Sequence, residues 1–508
     1  MTAAVLIKPP SPTTHLILSK VGAGPSGLSL ALALLQNGVS VQIIDKLLLT
    51  ELARRALVSK ILELYKLLGV LPDIQKKGGV VQPLLMYLPG DATKTVEIIN
   101  PIMLGQDRHE EILCEHLARY GVTVELETEL VSVEQFSDRV VSRIIKTHNE
   151  GAHSVVRKTL GLTFLGETRK GDNLVVGDIH IKKPLLDRDV WHVWGEPAIK
   201  SVSLRPFEIK DDDRYNFICM GRNVDADKMA SSREEFIKRF YEISGRTDVE
   251  FGDLIWISNF QPNVRIVNSY GSGRAFVTGD SAHVHSPTGG QGLNSGIQDS
   301  VNLAWKLALV EKGSAPQSLL DSYSQERIPV IAAMLDKTSE LLTKIFKPGG
   351  DGQTGWVRGY ELRQLSRQSQ TVDPYRSGSD GTIRGGDRAP DAPDLVFVND
   401  FSRKTSLFDV FGSSYHTVLI FSGGNTAVLD ALKSYPTGAV KSVVIVPQQP
   451  TGPILADYVL VDGDGYAYKH YNIAEKVTKV VVVRPDGIIG ALVIGVDGMK
   501  QYFKGIFI

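Results

Sequence analysis

The sequence predicts an α/β protein with several folding units, and three observations carry that prediction. A glycine-rich loop near the N-terminus lies between a strand pattern and a helix pattern. A long middle stretch carries short alternating strands, and the last third returns to strands that alternate with helices. The chain has 508 residues, which is too long for one compact core, so we expect two to four units of about 100–200 residues.

The N-terminal segment is predicted to form one βαβ unit. Residues 15–19 alternate like a short strand, residues 28–36 have helical spacing, and residues 39–45 alternate again and are rich in β-branched side chains. Asn37 and Gly38 end the helix in the manner of a C-cap. Such a unit places its two strands parallel in one sheet.

A Gly-x-Gly-x-x-Gly loop connects the first strand of this unit to its helix. Gly22 permits a tight turn, Gly24 lets the backbone approach a pyrophosphate, and Gly27 lets helix and strand pack closely. The helix N-terminus adds N–H groups and the positive end of the helix dipole. Asp45, which ends the second strand, can accept hydrogen bonds from ribose hydroxyls. The sequence therefore predicts a Rossmann-type dinucleotide site, without deciding between FAD and NAD.

The later elements follow from the same patterns. Short strands dominate residues 164–260, which predicts an antiparallel sheet inserted into the first domain. Pro329 is expected to kink or break a long helix, and the Gly-, Pro- and Ser-rich residues 347–394 indicate a linker. Strands are predicted at 122–126, 173–181, 189–194, 200–204, 215–220, 275–278, 417–421, 442–446, 458–461 and 479–484, and helices at 59–68, 108–120, 232–243, 293–311, 317–344 and 426–434.

Composition excludes several classes of protein. Apolar residues make up 43%, charged residues 22%, and the formal net charge is −1, which is typical of a globular chain and gives no general attraction to nucleic acid. The two cysteines, Cys114 and Cys219, exclude a disulfide framework, and no Cys/His cluster has metal-ligand spacing. Apolar runs fall far short of the roughly 18–20 residues of a membrane span. We expect a cytoplasmic protein without a membrane span, a nucleic-acid partner or a bound metal.

A second glycine-rich motif begins at Gly279 and ends at Asn294, with the sequence GDSAHVHSPTGGQGLN. Asp280 is well placed to bind a polyol hydroxyl, and the glycines near the end of the motif allow close backbone approach. The N-terminus of the helix that begins at Leu293 can stabilise negative charge on a ring system. This long motif is more specific than the first loop.

The two motifs together closely resemble the para-hydroxybenzoate hydroxylase-like, FAD-dependent aromatic monooxygenases. The resemblance covers nearly the whole chain. It implies that Asp280 binds the ribityl chain of FAD and that Pro287 lies beside the isoalloxazine. It also implies that NADPH or NADH reduces FAD, and that a flavin C4a-hydroperoxide transfers oxygen to a phenolic or other electron-rich aromatic substrate.

The resemblance also assigns individual residues to the cofactor. Gln106 is similar to the family's flavin-contacting Gln that precedes a helix, and Arg55 is similar to the Arg of its mobile flavin loop. Pro287 and Arg55 are the residues that it places nearest the chemistry. The complete cofactor set is Gly22, Gly24, Ser26, Gly27, Asp45, Lys46, Arg55, Gln106, Glu150, Gly279, Asp280, Pro287, Gly290, Gly292, Leu293 and Asn294.

The residue that activates the substrate stays open at this point. Candidates in the inserted sheet are His180, Trp191, His192, Arg205 and Tyr215, each of which also has an ordinary structural interpretation. His283 and His285 lie in the second motif, where packing and helix-end capping compete with a catalytic role.

The last third of the chain resembles the phenol hydroxylase branch of the family, which carries a thioredoxin-like domain. The similar segments are residues 386–391 and 481–487. The segment has no Cys-x-x-Cys, so we expect a structural role or a role in a homodimer rather than thiol chemistry. The resulting division is FAD-binding segments 1–80, 101–163 and 266–346, substrate-domain segments 81–100 and 164–265, a linker at 347–386 and a thioredoxin-like domain at 387–508.

The chain departs from the family pattern at Glu150, where relatives carry an Asp that supports flavin binding and NAD(P)H-driven reduction. We expect Glu150→Asp to raise the rate of flavin reduction. Two alternatives to an aromatic hydroxylase stay open: another flavoenzyme of the same fold, such as an epoxidase or a Baeyer–Villiger-like enzyme, and a flavin-binding protein with impaired catalysis. A halogenase is disfavoured because Trp191 and Trp194 have the wrong spacing for its Trp-x-Trp-x-x-Ile motif.

Overall fold

The computed structural model is mixed α/β and confirms the predicted fold class. Three large sheets and three small ones occur within the described residues. The described residues are 3–6, 17–46, 55–57, 59–80, 82–87, 93–96, 102–137, 139–146, 155–169, 174–183, 186–196, 198–207, 212–285, 290–345, 383–421, 426–473 and 479–508.

The first sheet contains the βαβ unit predicted at the N-terminus. Helix α1 (Pro25–Gln36) joins two parallel strands, and helix α2 (Gln106–Ala118) packs beside it. The apolar residues of α1 are buried almost without interruption, because α1 is covered by both the sheet and neighbouring helices. The order of the six strands is Gly271–Ser272, Ala275–Thr278, Ala3–Leu6, Ile17–Val21, Ser40–Ile44 and Val124–Glu125.

The N-terminal strand Ala3–Leu6 is not among the predicted elements. It lies antiparallel between Ile17–Val21 and Ala275–Thr278. Four consecutive apolar residues suit a strand in the middle of a sheet, but a run this short gives little periodicity to detect. The predicted first strand, residues 15–19, overlaps Ile17–Val21, and residues 15 and 16 lie outside the described part of the chain.

The inserted sheet has seven strands, and helix α3 (Arg233–Ser244) covers one of its faces. Phe217 of the sheet and Phe236 of α3 stack with ring centroids 3.9 Å apart, which anchors the helix to that face. On the opposite face, Arg205 contacts Met103, and Leu174 and Met220 pack against Leu342 and Ile345 of the helix Asp321–Ile345. The order of the strands is Glu250–Phe260, Leu174–Lys183, Arg214–Met220, Lys200–Pro206, Trp191–Glu196, Leu84–Tyr87 and Thr93–Val96.

Two long helices follow the inserted sheet, α4 (Gln291–Glu311) and α5 (Asp321–Ile345). Pro329 does not break the helix, because α5 runs through that residue, and a kink there stays a prediction. A proline removes one helical N–H donor, but burial of Arg327, Ile331 and Leu335 on either side of it holds the helix together. The start of the predicted helix, Gln317–Leu320, is a separate 3-10 turn.

The C-terminal sheet also has seven strands and shares a core with α4. Trp305 and Leu309 of α4 belong to the same apolar cluster as Val418 and Ile420 of the sheet, so this domain is packed onto α4. Its thioredoxin-like character stays a prediction. The strand order is Asp400–Thr405, Leu395–Phe397, Tyr458–Val461, Val440–Val446, His416–Phe421, Lys479–Val483 and Ile489–Ile494.

The remaining elements are short and connect these sheets. No helix among the described residues is long and apolar enough to cross a membrane. The small strands are Arg55–Leu57, Gly79–Val80, Ile102–Leu104, Thr128–Gln135, Val140–Lys146, Phe164–Thr168, Asn263–Val267 and His283–Val284. The other helices are Ser59–Leu67, Leu71–Lys77, Val155–Thr159, Ala226–Met229, Leu407–Val410, Thr426–Leu432, Tyr466–His470 and Gly495–Phe503, and Gly279–Ser281 forms a 3-10 turn.

Candidate active site

The predicted dinucleotide loop has the geometry of an anion-binding helix start. Gly22 has φ +100°, a backbone conformation that favours glycine. Gly24 is the N-cap residue of α1, and no side chain caps the first N–H groups of the helix. The N–H of Ala23 donates to Asp45 Oδ2 at 2.6 Å, which fixes the acid beside the loop. Lys46 follows Asp45 and is half-buried.

The second motif presents an exposed acid on a buried turn. Gly279 has φ +56°, and it is buried together with Ser281. Asp280 between them is exposed. The 3-10 turn Gly279–Ser281 directs this residue outward. A carboxylate in this position is open to the hydroxyl groups of a ligand.

The two motifs, far apart in sequence, meet where α1 crosses α4. A Cβ atom on Gly296 would lie 2.2 Å from Ser26 Oγ, and a Cβ atom on Gly279 would lie 3.0 Å from the same oxygen. Ser300 Oγ donates to the carbonyl oxygen of Ser26 at 2.6 Å. Small residues therefore allow α4 to lie against the start of α1, and they join the two glycine-rich motifs into one site.

A further acid, Asp299, is buried beside the second glycine-rich motif. The sequence did not identify it as a site residue. Asp299 Oδ2 accepts from His283 Nε2 at 2.9 Å and from the N–H of Gly279 at 3.2 Å. Arg327 Nε donates to Asp299 Oδ1 at 2.6 Å. His283 and Asp299 are fully buried, so His283 has the packing role rather than access to a substrate. An acidic residue in the middle of the predicted helix was the available signal.

The N-terminus of α4 closes the second loop. Gly290, its N-cap residue, has a left-handed backbone with φ +59° and ψ +38°. Asn294 Nδ2 donates to the carbonyl oxygen of Gly290 at 2.7 Å, which fixes the first turn. Gly292 and Leu293 lie within that turn. The helix therefore begins with the positive end of its dipole towards the loop.

A third segment reaches the site through α2. Gln106 is the first residue of α2 and is buried, and its Nε2 donates to Glu110 Oε1 at 2.7 Å. Burial raises the pKa of Glu110 to about 7, and the nearby charge of Asp45 adds to the rise. The strand before α2 pairs with the backbone of Arg55, whose Cα partner is Leu104. Arg55 and Gln106 are therefore close along the paired backbones.

The side chains of three predicted site residues are not among those that the structure describes. Pro287 and Glu150 lie outside the described residues, and for Arg55 the description covers the backbone alone. Their assigned roles stay predictions.

The candidates for substrate activation lie on different faces of the inserted sheet. His192 and Tyr215 lie on the side of α3, where His192 Nδ1 is 2.8 Å from Tyr87 Oη and Tyr215 Oη donates to the carbonyl oxygen of Leu186. His180 lies at the margin of the sheet, 2.7 Å from Asp213 Oδ1. Each of these three is therefore held by a structural partner.

Trp191 and Arg205 lie on the opposite face of the sheet. Both are buried, and the guanidinium carbon of Arg205 lies 5.2 Å from the centre of the Trp191 ring. Arg205 Nη1 reaches Met103 Sδ at 3.9 Å. Met103 belongs to the strand Ile102–Leu104 that leads into α2, so this face of the sheet looks towards the segment that carries Gln106.

These residues fit FAD. The open N-terminus of α1 beside Gly24 suits a pyrophosphate, and Asp45 is fixed where a ribose would lie. The exposed carboxylate of Asp280 suits a polyol chain, and the start of α4 at Gly290 suits the electron-rich side of a flavin ring.

Comparison with known proteins gives the family. The FAD binding domain family matches residues 17–338. A flavin-dependent monooxygenase of Mycobacteroides abscessus is 29% identical over 503 residues, covering 93% of this chain and 96% of that protein. Pentachlorophenol 4-monooxygenase of Sphingobium chlorophenolicum is 26% identical, covering 93% of this chain and 92% of that protein. The crystal structure of the flavin-dependent monooxygenase PieE with FAD and substrate superposes with a TM-score of 0.74 at 21% identity, covering 97% of this chain and all of that one.

The chain therefore belongs to the FAD binding domain family, and it is an FAD-dependent monooxygenase. This confirms the family-level resemblance, the enzyme class and the cofactor that the two glycine-rich motifs predicted. Assignment to the phenol hydroxylase branch stays a prediction.

Proposed function

We propose that the enzyme hydroxylates a phenolic or other electron-rich aromatic compound with NADPH or NADH and O2. The observation that carries the proposal is the second face of the inserted sheet, where Trp191 and Arg205 are buried on the side away from α3. Their face looks towards the strand that precedes Gln106. An aromatic compound between this face and the flavin would meet an apolar ring, a sulfur atom and a guanidinium.

FAD, when bound, supplies hydride acceptance and O2 activation. The chain's part is to hold and orient. Asp45 and the start of α1 would hold the adenosine and pyrophosphate end, and Asp280 would hold the ribityl chain. The N-terminus of α4 would face the pyrimidine side of the ring, where its dipole favours negative charge. The apolar residues around Trp191 would keep water away from the reacting atoms.

The substrate class is supported by the relatives. One protein that is similar over nearly its whole length is a pentachlorophenol 4-monooxygenase, and another, at 26% identity over 92% of each chain, is a tetracenomycin A2 monooxygenase-dioxygenase. The buried Trp191 and Arg205 on this face of the inserted sheet suit a planar ring that carries oxygen substituents. We therefore place phenols ahead of non-aromatic substrates.

The test is oxidation of NADPH and NADH by the FAD-loaded enzyme against a panel of phenols, with the product mass recorded. Stimulation by one phenol, with a product heavier by one oxygen atom, is the expected result. Release of hydrogen peroxide without an oxygenated product from every phenol would reject the proposal. Heat-inactivated enzyme with free FAD is the control for non-enzymatic oxidation.

Two further assignments belong to the same proposal. We propose that the enzyme acts in the cytoplasm, since a chain with two free cysteines, Cys114 and Cys219, suits a reducing compartment. We also propose a homodimer, for which size-exclusion chromatography with light scattering is the direct measurement.

A further inference from the structure

The C-terminal domain is hydrogen-bonded to the far end of α1. Asn37, the C-cap residue of this helix, donates from Nδ2 to the carbonyl oxygen of Ser413 at 3.0 Å. Ser413 Oγ donates to Oε1 of Gln36, the last residue of α1, at 2.6 Å. Asn37 and Ser413 are both buried, so solvent competes little with these bonds. The helix that begins at the dinucleotide loop is therefore held at its other end by the C-terminal domain.

The same domain is bonded to the middle of α4. Asp486 Oδ2 accepts from Asn302 Nδ2 at 2.9 Å, and both residues are buried. Asn302 Nδ2 also donates to Glu326 of α5 at 2.8 Å. Arg484 pairs with Asp486 and with Glu326. The turn that carries Arg484 and Asp486 therefore binds α4 and α5 at one place.

These two attachments come from the same end of the C-terminal sheet. Thr417 and Val483 are opposite each other on neighbouring antiparallel strands. Ser413 lies four residues before Thr417, and Asp486 lies three residues after Val483. Both strands have neighbours on each side in the sheet, so the two attachments belong to one firmly bonded unit.

The crossing of α1 and α4 is made by small residues. Ser26 of α1 lies against Gly296 of α4, and Ser300 Oγ donates to the carbonyl oxygen of Ser26. Small side chains let two helices approach closely, and the angle at which they cross then depends on contacts made further along. The bonds from the C-terminal domain to α1 and to α4 are contacts of that kind.

The crossing lies midway between the start of α4 and its attachment. Gly290, the N-cap residue, lies six residues before Gly296, and Asn302 lies six residues after it. Each arm of the helix is about 9 Å long. If α4 pivots at the crossing, a displacement at Asn302 moves Gly290 by a similar distance in the opposite direction. Holding Asn302 therefore also holds the helix start that faces the flavin site.

We propose that the C-terminal domain is a positioning element of the FAD site: by holding α1 and α4 it sets the relative position of their two N-termini and so raises the affinity for FAD. Ser413 and Asp486 act through Gln36 and Asn302 and are positioning residues. Coupling between two sites is reciprocal, so bound FAD in turn holds the C-terminal domain more firmly. This role concerns the cofactor and does not depend on which substrate is hydroxylated.

The first test is titration of the FAD-free enzyme with FAD, followed by flavin fluorescence, with circular dichroism to confirm that each variant is folded. Asp486→Ala removes a charged acceptor from Asn302 and should raise the dissociation constant for FAD by about 10- to 100-fold. Ser413→Ala removes a neutral hydrogen bond and should raise it by about 3- to 10-fold. Ser413→Thr keeps the hydroxyl group and should bind FAD as wild type does.

The matched control is Ser442→Ala, which removes a buried hydrogen bond within the C-terminal domain. Ser442 Oγ donates to Asp457 Oδ2 at 2.7 Å. This variant should destabilise the domain and leave the affinity for FAD unchanged. If Ser442→Ala and Asp486→Ala weaken FAD binding equally, general loss of stability explains the result and the proposal falls. Wild-type affinity in both Asp486→Ala and Ser413→Ala would overturn it as well.

The second test needs no variant and uses the reciprocity of the coupling. Hydrogen exchange of the wild-type enzyme is measured with and without FAD. Bound FAD should slow exchange in the dinucleotide loop, residues 22–27, and also in residues 411–416 and 484–489 of the C-terminal domain. Residues 442–446 should exchange as they do without FAD. Slower exchange in the loop with no change in residues 411–416 and 484–489 would show that the domain is not coupled to the cofactor site.

Discussion

Asp299 and Arg327 form a buried ion pair behind the second glycine-rich motif, with Arg327 Nε 2.6 Å from Asp299 Oδ1. The other oxygen of Asp299 binds His283 and the N–H of Gly279. Burial alone would raise the pKa of Asp299, but the charge of Arg327 and the hydrogen bonds hold it below the usual value. One carboxylate thus links α4, α5 and the turn that presents Asp280.

Asp299→Ala should strongly destabilise the enzyme. It leaves the guanidinium of Arg327 buried without its carboxylate and removes the acceptor of the Gly279 N–H. Loss of one partner from a buried pair costs about 3–5 kcal/mol. We expect the free energy of unfolding in urea to fall by about that amount, both with and without FAD.

The control for this prediction is Asp248→Ala. Asp248 forms an exposed pair with Arg246 at 2.7 Å, and exposed pairs contribute little. Equal unfolding midpoints for Asp299→Ala and Asp248→Ala would mean that the buried pair does not stabilise the fold.

Asp280→Ala should behave in the opposite way. Because Asp280 is exposed in the chain without a ligand, its removal should lower the stability of the FAD-free enzyme far less than the removal of the buried Asp299. A charge-assisted acceptor for the ribityl hydroxyls would be lost, so FAD should bind about 10- to 100-fold more weakly. Titration of the FAD-free enzyme, followed by flavin fluorescence, gives the dissociation constant. Unaltered FAD affinity would remove Asp280 from the cofactor site.

Asp280 could be recognised as a site residue from the sequence, whereas Asp299 could not. Asp280 follows a glycine at the end of a strand, and such a local pattern is visible in the sequence. Asp299 was missed because its partners Gly279, His283 and Arg327 come together only when α4 and α5 pack. A buried polar residue on an apolar helix signals that a partner exists, but the sequence does not say which residue it is.

The inserted sheet shows the same limit. Alternation along Trp191–Glu196 separates Trp191 from His192 by face, and that much follows from the sequence. Which of the two faces packs against α3 is decided by tertiary structure. The sequence therefore could not separate His192 and Tyr215, which lie on the side of α3, from Arg205 on the other face.

Glu110 gives a prediction for pH dependence. Burial raises its pKa to about 7, above the value of about 4.3 for an unfolded chain. Between these values the folded state binds more protons than the unfolded state, so stability falls as the pH rises from about 4 to about 7. Glu110→Gln keeps an oxygen to accept from Gln106. It should match wild type at the acid end and exceed it by about 4 kcal/mol above pH 7.

The measurement is urea unfolding of the FAD-free enzyme across this pH range. Glu111→Gln is the matched control, because Glu111 is the next residue and is exposed in an ion pair with Lys77. A constant difference between Glu110→Gln and wild type at every pH would show that Glu110 does not titrate in this window.

The last prediction concerns the contact between the C-terminal domain and the flavin-site helices. Arg484 donates to both oxygens of Glu326 on α5, at 3.1 and 2.8 Å, and Lys306 of α4 lies 3.0 Å from the same carboxylate. Burial lowers the pKa of Lys306 to about 8, although Glu326 opposes the shift. Glu326 therefore bridges cations from both sides of the interface, while Asp486 also pairs with Arg484.

Glu326→Gln should loosen the C-terminal domain from α4 without unfolding its sheet. It keeps an oxygen for hydrogen bonding but leaves Lys306 and Arg484 facing each other with less negative charge, and a loss of about 2 kcal/mol is expected. Hydrogen exchange should become faster along α4 near Trp305, which packs against His416 of the C-terminal sheet with ring centroids 5.1 Å apart. Asp430→Ala, which breaks an exposed pair with Lys433 in the same domain, should leave exchange there as in wild type. Faster exchange confined to the surface of the C-terminal sheet would mean that Glu326 does not hold the two parts together.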